Sequence, residues 1–148
     1  MFYIYTDGSA IGNPGPGGWG AVIVQGRERR ELSGANPWTT ISEMEVLAAV
    51  EALRSIPSGQ RVLLRSDSRH LIDGMRYLAR RWQDGGWKNS RGAPIQHREL
   101  WLELIGLNQL HNIRWKWIEG HNGHAIQSRA DVLACQEARA LWKSCLAA

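Results

Sequence analysis

The order of the periodic segments constrains this chain more than any single motif does. Three strand-like runs come first: Phe2 to Asp7, Trp19 to Gln25 and Glu28 to Ser33, the last two joined near Gly26. Helix and strand signals then alternate. Apolar residues at Met44, Leu47, Ala48 and Leu53 predict a helix over Thr40 to Arg54, capped by Thr40 or Ser42 and ended before Pro57-Ser58-Gly59. Arg61 to Ser66 reads as a buried-type strand and Ser68 to Leu78 as a helix. Beyond a looser stretch, His97 to Leu107 reads as a helix, Ile113 to Glu119 as a strand and Gln127 to Leu146 as a last helix. Three successive strands followed by this alternation predict an α/β fold, a mixed sheet covered by helices. Without repeat, linker or low-complexity tract, the 148 residues are expected to form a single domain over 1–148.

Four carboxylates acquire meaning on that outline. Asp7 and Asp67 stand at expected strand ends, Glu45 near a helix start, and Asp131 in the first turns of the last helix. In open α/β sheets, such ends gather at the edge where ligands bind. One acid in such a place is most simply a helix cap or a solvated charge. Four acids converging on one place repel each other unless a hard cation lies between them. The pattern therefore predicts bound magnesium and chemistry on a phosphate.

The net charge of +4 is concentrated. Between Arg76 and Trp101 there are six basic residues (Arg76, Arg80, Arg81, Lys88, Arg91, Arg98) and two acids, which leaves twelve of each sign in the rest of the chain. Tyr77, Trp82, Trp87 and Trp101 are interleaved with these cations. Two readings fit: a surface that tracks a nucleic-acid backbone, or a solvated helix whose aromatic rings face the core. No apolar run is long enough to span a membrane, and the N-terminus begins directly in a strand-like run, so a soluble, cytoplasmic, monomeric protein is expected. Cys135 and Cys145 lie ten positions apart on one expected helix, ~15 Å, too far to bridge, and read as reduced packing residues.

Five runs carry a closer likeness: Thr6-Asp7-Gly8-Ser9, the glycine-rich Gly12 to Gly20, Met44-Glu45, Ser66-Asp67-Ser68 and Gly120-His121-Asn122-Gly123-His124. Together they resemble type 1 ribonuclease H of the bacterial kind over essentially the whole chain. The resemblance implies a ribonuclease H-like five-stranded mixed sheet flanked by helices. It also implies endonucleolytic hydrolysis of the RNA strand of RNA–DNA hybrids by a two-metal-ion mechanism, leaving 5′-phosphate and 3′-hydroxyl ends. By this likeness Asp7, Glu45, Asp67 and Asp131 hold two Mg²⁺ ions, with Mn²⁺ as a possible substitute, and His121 is the catalytic histidine. A binding module that no longer cuts would be expected to have lost one of these acids, and all four are present. A resolvase or integrase of the same superfamily would need neither the glycine run nor the Trp-rich basic stretch.

Substrate contacts follow from the same likeness. The Gly12 to Gly20 run is expected to be a loop that lets backbone approach the substrate, with the Asn13 amide as donor and acceptor. Thr40 with Asn13 would hold a phosphate of the DNA strand, and Tyr77, Arg80, Arg81, Trp82, Trp87 and Lys88 belong to the basic protrusion expected to grip that strand. Four departures alter the pattern, one of them Gln83-Asp84-Gly85-Gly86 at a place of the protrusion that is commonly basic. Ile41-Ser42 replaces a usual asparagine pair, so Ser42 keeps one hydrogen bond and loses the amide's double reading. Arg69 replaces a glutamine of the minor-groove contact. Gln127-Ser128 replaces Asn-Glu before the last helix.

Overall fold

All five expected strands form, and the first three run beyond their apolar stretches. The computed structural model describes residues 1–120 and 124–147. Strand β1 covers Phe2–Ala10, β2 Gly15–Gln25, β3 Glu28–Thr39, β4 Arg61–Ser66 and β5 Asn112–Trp117. They make one sheet in the order β3-β2-β1-β4-β5, antiparallel among the first three strands and parallel from β1 to β4 to β5. β3 outruns its predicted end because it is an edge strand, exposed along most of its length. Its side chains carry little alternation to read, and an edge tolerates Pro37.

Alternation in β1 divides the molecule into two layers. Phe2 and Ile4 face a core shared with Val62, Leu64 and the buried face of helix α1, Ile41–Arg54. Tyr5 faces the other way and packs with Val22, Ala130 and Leu133 beneath helix α5, Ala125–Ala147. α5 lies over β1, β2 and β3. The contact is close because Gly18 and Gly20 of β2 carry no Cβ; at Gly20 one would come within 2.5 Å of the Ala130 carbonyl. Most of the glycine run is therefore not the substrate-facing loop expected. From Gly15 onward it is a strand whose bare surface receives the helix that carries Asp131.

The predicted helix over 68–78 forms, but not uniformly. Ser68 caps α2, Arg69–Asp73, its Oγ accepting from the Leu71 N–H at 3.1 Å. A π-helical turn, Gly74–Leu78, follows, and then α3, Ala79–Asp84. The indole of Trp101, fully buried on α4 (Arg98–Leu110), occupies the space that a side chain at Gly74 would need. Trp82 packs edge-on against Trp101 with ring centres 4.9 Å apart, and Trp87 lies 6.2 Å from Trp82. The following stretch is organised by the Asn89 side chain, which accepts from the Arg91 and Ala93 N–H groups. The two cysteines are free.

Candidate active site

Asp7 and Asp67 are brought together by register. The last rung between β1 and β4 pairs Thr6 with Ser66, so each acid is the next residue beyond it. Asp7 is not at a strand end as expected, because β1 continues past it along β2 to Ala10. Glu45 arrives from α1. Thr40 caps that helix, its Oγ1 accepting from the Glu43 N–H at 3.2 Å, while the Asn13 side-chain oxygen accepts from the Ile41 N–H at 2.9 Å. Gly8 lets the helix settle onto β1, since a Cβ there would fall 2.5 Å from the Glu45 nitrogen. One carboxylate oxygen from each of Asp7, Glu45 and Asp67 lies within 4.8 Å of the others.

Asp131 closes the far side of the cleft. It lines a pocket with Asp7, Asp67, Glu119, His124, Gln127 and Ser128. The Gln127 amide donates to the Thr6 carbonyl at 2.9 Å, tying the first turn of α5 to β1 one residue before Asp7. Cys135, one turn beyond Asp131, lies 3.7 Å from its Oδ1 and 3.6 Å from Ser9 Oγ. His121, the expected catalytic histidine, lies outside the described residues.

Crowding and burial raise the acids' proton affinity. The Asp7 carboxyl is pushed up to about 9, first by burial and then by the Asp67 charge, although the Gly8 N–H donates to it at 2.9 Å. Glu45 is pushed up to about 7, mainly by burial, with repulsion from Asp67 adding to it and a hydrogen bond from Ser68 opposing it. Without a cation, the protein meets the repulsion by holding protons. Three closely spaced carboxylate oxygens, two of them on acids whose proton affinity is raised, are the donor set a hard divalent cation takes.

The expected substrate contacts divide into two groups. Asn13, Thr40 and Ser42 cluster at the start of α1, where the Asn13 oxygen is engaged by the helix and its Nδ2 is not. The Arg69 guanidinium lies 4.0 Å over the Trp117 ring, and the Trp117 indole N–H donates to the Asp67 carbonyl at 3.1 Å, which sets Arg69 beside the acids. Tyr77, Arg80, Arg81 and Lys88 are exposed. Trp82 and Trp87 are not; at 9% and 7% exposure their rings pack in the core. The basic stretch thus turns its cations outward and its indoles inward.

Sequence reasoning missed Glu119 and His124 in the cleft, and it missed a carboxylate–imidazole contact at the start of α1. There Glu43 Oε2 lies 2.9 Å from His97 Nδ1, and its other oxygen accepts from Thr39 Oγ1 at 2.9 Å. His97 precedes α4 with φ of 60°, so this pair joins the N-terminal ends of two helices. Nothing local to residues 43 and 97 signals it.

Comparison with known proteins agrees with this architecture. The RNase H family model matches residues 1–139. Ribonuclease H of Symbiobacterium thermophilum is 47% identical over 132 residues, spanning 88% of this chain and 90% of the relative. Ribonuclease H of Geotalea uraniireducens is 46% identical over 131 residues, spanning 88% and 89%. Among solved structures, LC9-RNase H1, a type 1 RNase H with the type 2 active-site motif, matches with a TM-score of 0.85 at 32% identity, covering 95% of this chain and 72% of that one.

Proposed function

From the premise that this chain belongs to the RNase H family, as its match over residues 1–139 and its close relatives show, we propose that it cuts the RNA strand of RNA–DNA hybrids. The carrying observation is the convergence of Asp7, Glu45 and Asp67 within 4.8 Å, with Asp131 on the same pocket. Two bound Mg²⁺ ions, for which Mn²⁺ can substitute, would supply an activated water and stabilise the leaving 3′ oxygen, giving 5′-phosphate and 3′-hydroxyl ends. Asp7, Glu45 and Asp67 would hold the ion on the nucleophile side, and Asp131, with Asp7, the other. His121 handles protons during turnover, a role suited to an imidazole at neutral pH.

The remaining residues position the substrate. Asn13, Thr40 and Ser42 offer polar groups at a helix start, where the backbone favours a phosphate. Arg69, Tyr77, Arg80, Arg81 and Lys88 contribute exposed cations and one exposed ring toward the same polyanion. The experiment offers labelled RNA in a hybrid, in duplex RNA and alone, with magnesium, manganese or chelator. The proposal expects cleavage of the hybrid alone, abolished by chelator. Comparable cleavage of duplex RNA, or cleavage in chelator, would overturn it.

A further inference from the structure

Outside residues 76–101 the chain has as many acids as cations, yet the fold does not mix them evenly. On β4 and β5 the register partners Arg61 and Asn112, Leu63 and Arg114, and Arg65 and Lys116 point away from the layer that buries Val62, Leu64 and Trp115. On that side α5 lies over β1, β2 and β3. The outward positions of β4 and β5 hold four cations and no acid, and Arg61, Arg114 and Lys116 are exposed. None of the four takes part in an ion pair among the described residues.

Lys116 pairs in register with Arg65, ~4.8 Å across the sheet, and Arg114 stands two residues before it, ~6.6 Å along β5, spacings that favour a polyanion neutralising several charges at once. A ring stands beside them. Tyr3 is 37% exposed and pairs in register with Leu63. Arg65 is held in place, its Nη1 donating to the Tyr5 hydroxyl at 2.8 Å and its guanidinium 5.4 Å and 5.9 Å from the Tyr5 and Tyr3 ring centres. The row of cations on β4 ends two residues before Asp67, so the face is continuous with the acid cleft.

We propose that the uncovered β4–β5 face binds single-stranded nucleic acid, as the unpaired extension of a polynucleotide whose hybrid portion lies in the acid cleft. Cations beside an exposed ring on an open sheet face suit a single strand, whose phosphates meet the cations and whose free bases stack. A duplex withholds its bases, and an acidic peptide leaves the ring unused. The hybrid-cutting reading enters only through what occupies the cleft; binding of a free single strand is tested without it.

The test measures fluorescence anisotropy in chelator, so that nothing is cut. Its ligands are a blunt hybrid, the same hybrid with an unpaired tail of about a dozen thymidines at either end, and the free oligothymidine, on the scale of one single-strand site. The proteins are the wild type, Arg61→Ala/Arg114→Ala/Lys116→Ala, Tyr3→Ala and Tyr3→Phe, with circular dichroism confirming the fold. The wild type should bind one tailed hybrid several-fold more tightly than the blunt one. The triple variant should lose that advantage, with its log–log salt slope for oligothymidine shallower by about 2, while its affinity for the blunt hybrid holds. Tyr3→Ala should weaken tail binding and Tyr3→Phe restore it. Equal wild-type affinity for tailed and blunt hybrids would overturn the proposal, as would an equal loss on both in the triple variant. Competition by polyglutamate but not by oligothymidine would assign the face to acidic proteins instead.

Discussion

The acid cleft and the segment from Arg76 to Arg98 both concentrate charge of one sign, and the protein treats them in opposite ways. In the cleft, carboxylates from three elements come within 4.8 Å in a partly buried place. At an effective dielectric near 20, each such pair costs roughly 3–4 kcal/mol if both groups are charged. That energy is met by proton uptake, or by a cation. In the segment the cations point into solvent, where repulsion is screened. The cleft is therefore a site where one substitution changes everything, and the segment one where each residue adds a share.

Asp7→Asn should produce the largest effect on either side of that contrast. Removing the charge while keeping the shape should lower the rate of hybrid cleavage by at least ~3 orders of magnitude, on the order of 4 kcal/mol. It should also raise the melting temperature of the metal-free protein near pH 8. The sign follows from linkage: with the Asp7 carboxyl raised to about 9, the folded state keeps a proton that the unfolded state releases near its ordinary value. Stability in chelator therefore declines as pH rises from about 4 toward 9, and the variant should flatten the upper part of that decline. Thermal scans across pH check it.

Within the basic segment, the contrast predicts that the indoles matter more than the cations. Trp82→Ala should destabilise the fold by about 3–5 kcal/mol, the cost of truncating a buried aromatic side chain, as read by denaturant unfolding. Arg80→Ala with Arg81→Ala should leave stability nearly unchanged. Its effect should appear as a salt slope shallower by about 2 and as weaker binding of hybrid and plain duplex DNA alike. A loss confined to the hybrid would show that these arginines read the substrate and do not merely attract it. The smallest change expected is a gain: Ile41→Asn with Ser42→Asn should strengthen hybrid binding by ~1–2 kcal/mol with an unaltered salt slope. Ile41 is partly exposed and its backbone N–H already engages Asn13, so an added side chain there projects without disturbing the cap.

The same contrast explains what could be read in advance. The succession of strands and helices along the chain and a cap at Thr40 or Ser42 follow local periodicity and helix-end chemistry, which a sequence displays directly; the acids at 45, 67 and 131 stand near element ends, whereas Asp7 lies inside β1. What escaped depends on partners far along the chain. Gly18 looks like a loop glycine until α5 arrives more than a hundred residues later to cover it. Trp82 and Trp87 sit among surface arginines in sequence, and only the packing of Trp82 against Trp101 and of Trp87 against Trp82 turns them inward. Likewise, the cations of β4 and β5 are balanced by acids along the chain, and only the sheet register sorts them onto one face.

The central claim is that the acid cleft trades protons for divalent cations. It is tested most directly by calorimetric titration of Mg²⁺ into the metal-free protein at pH 7, repeated in buffers of different ionisation enthalpy. With Asp7 at about 9 and Glu45 at about 7, cation binding should release at least about one proton, and Asp7→Asn should abolish most of that release. Binding without proton release, or release unchanged in the variant, would contradict the account.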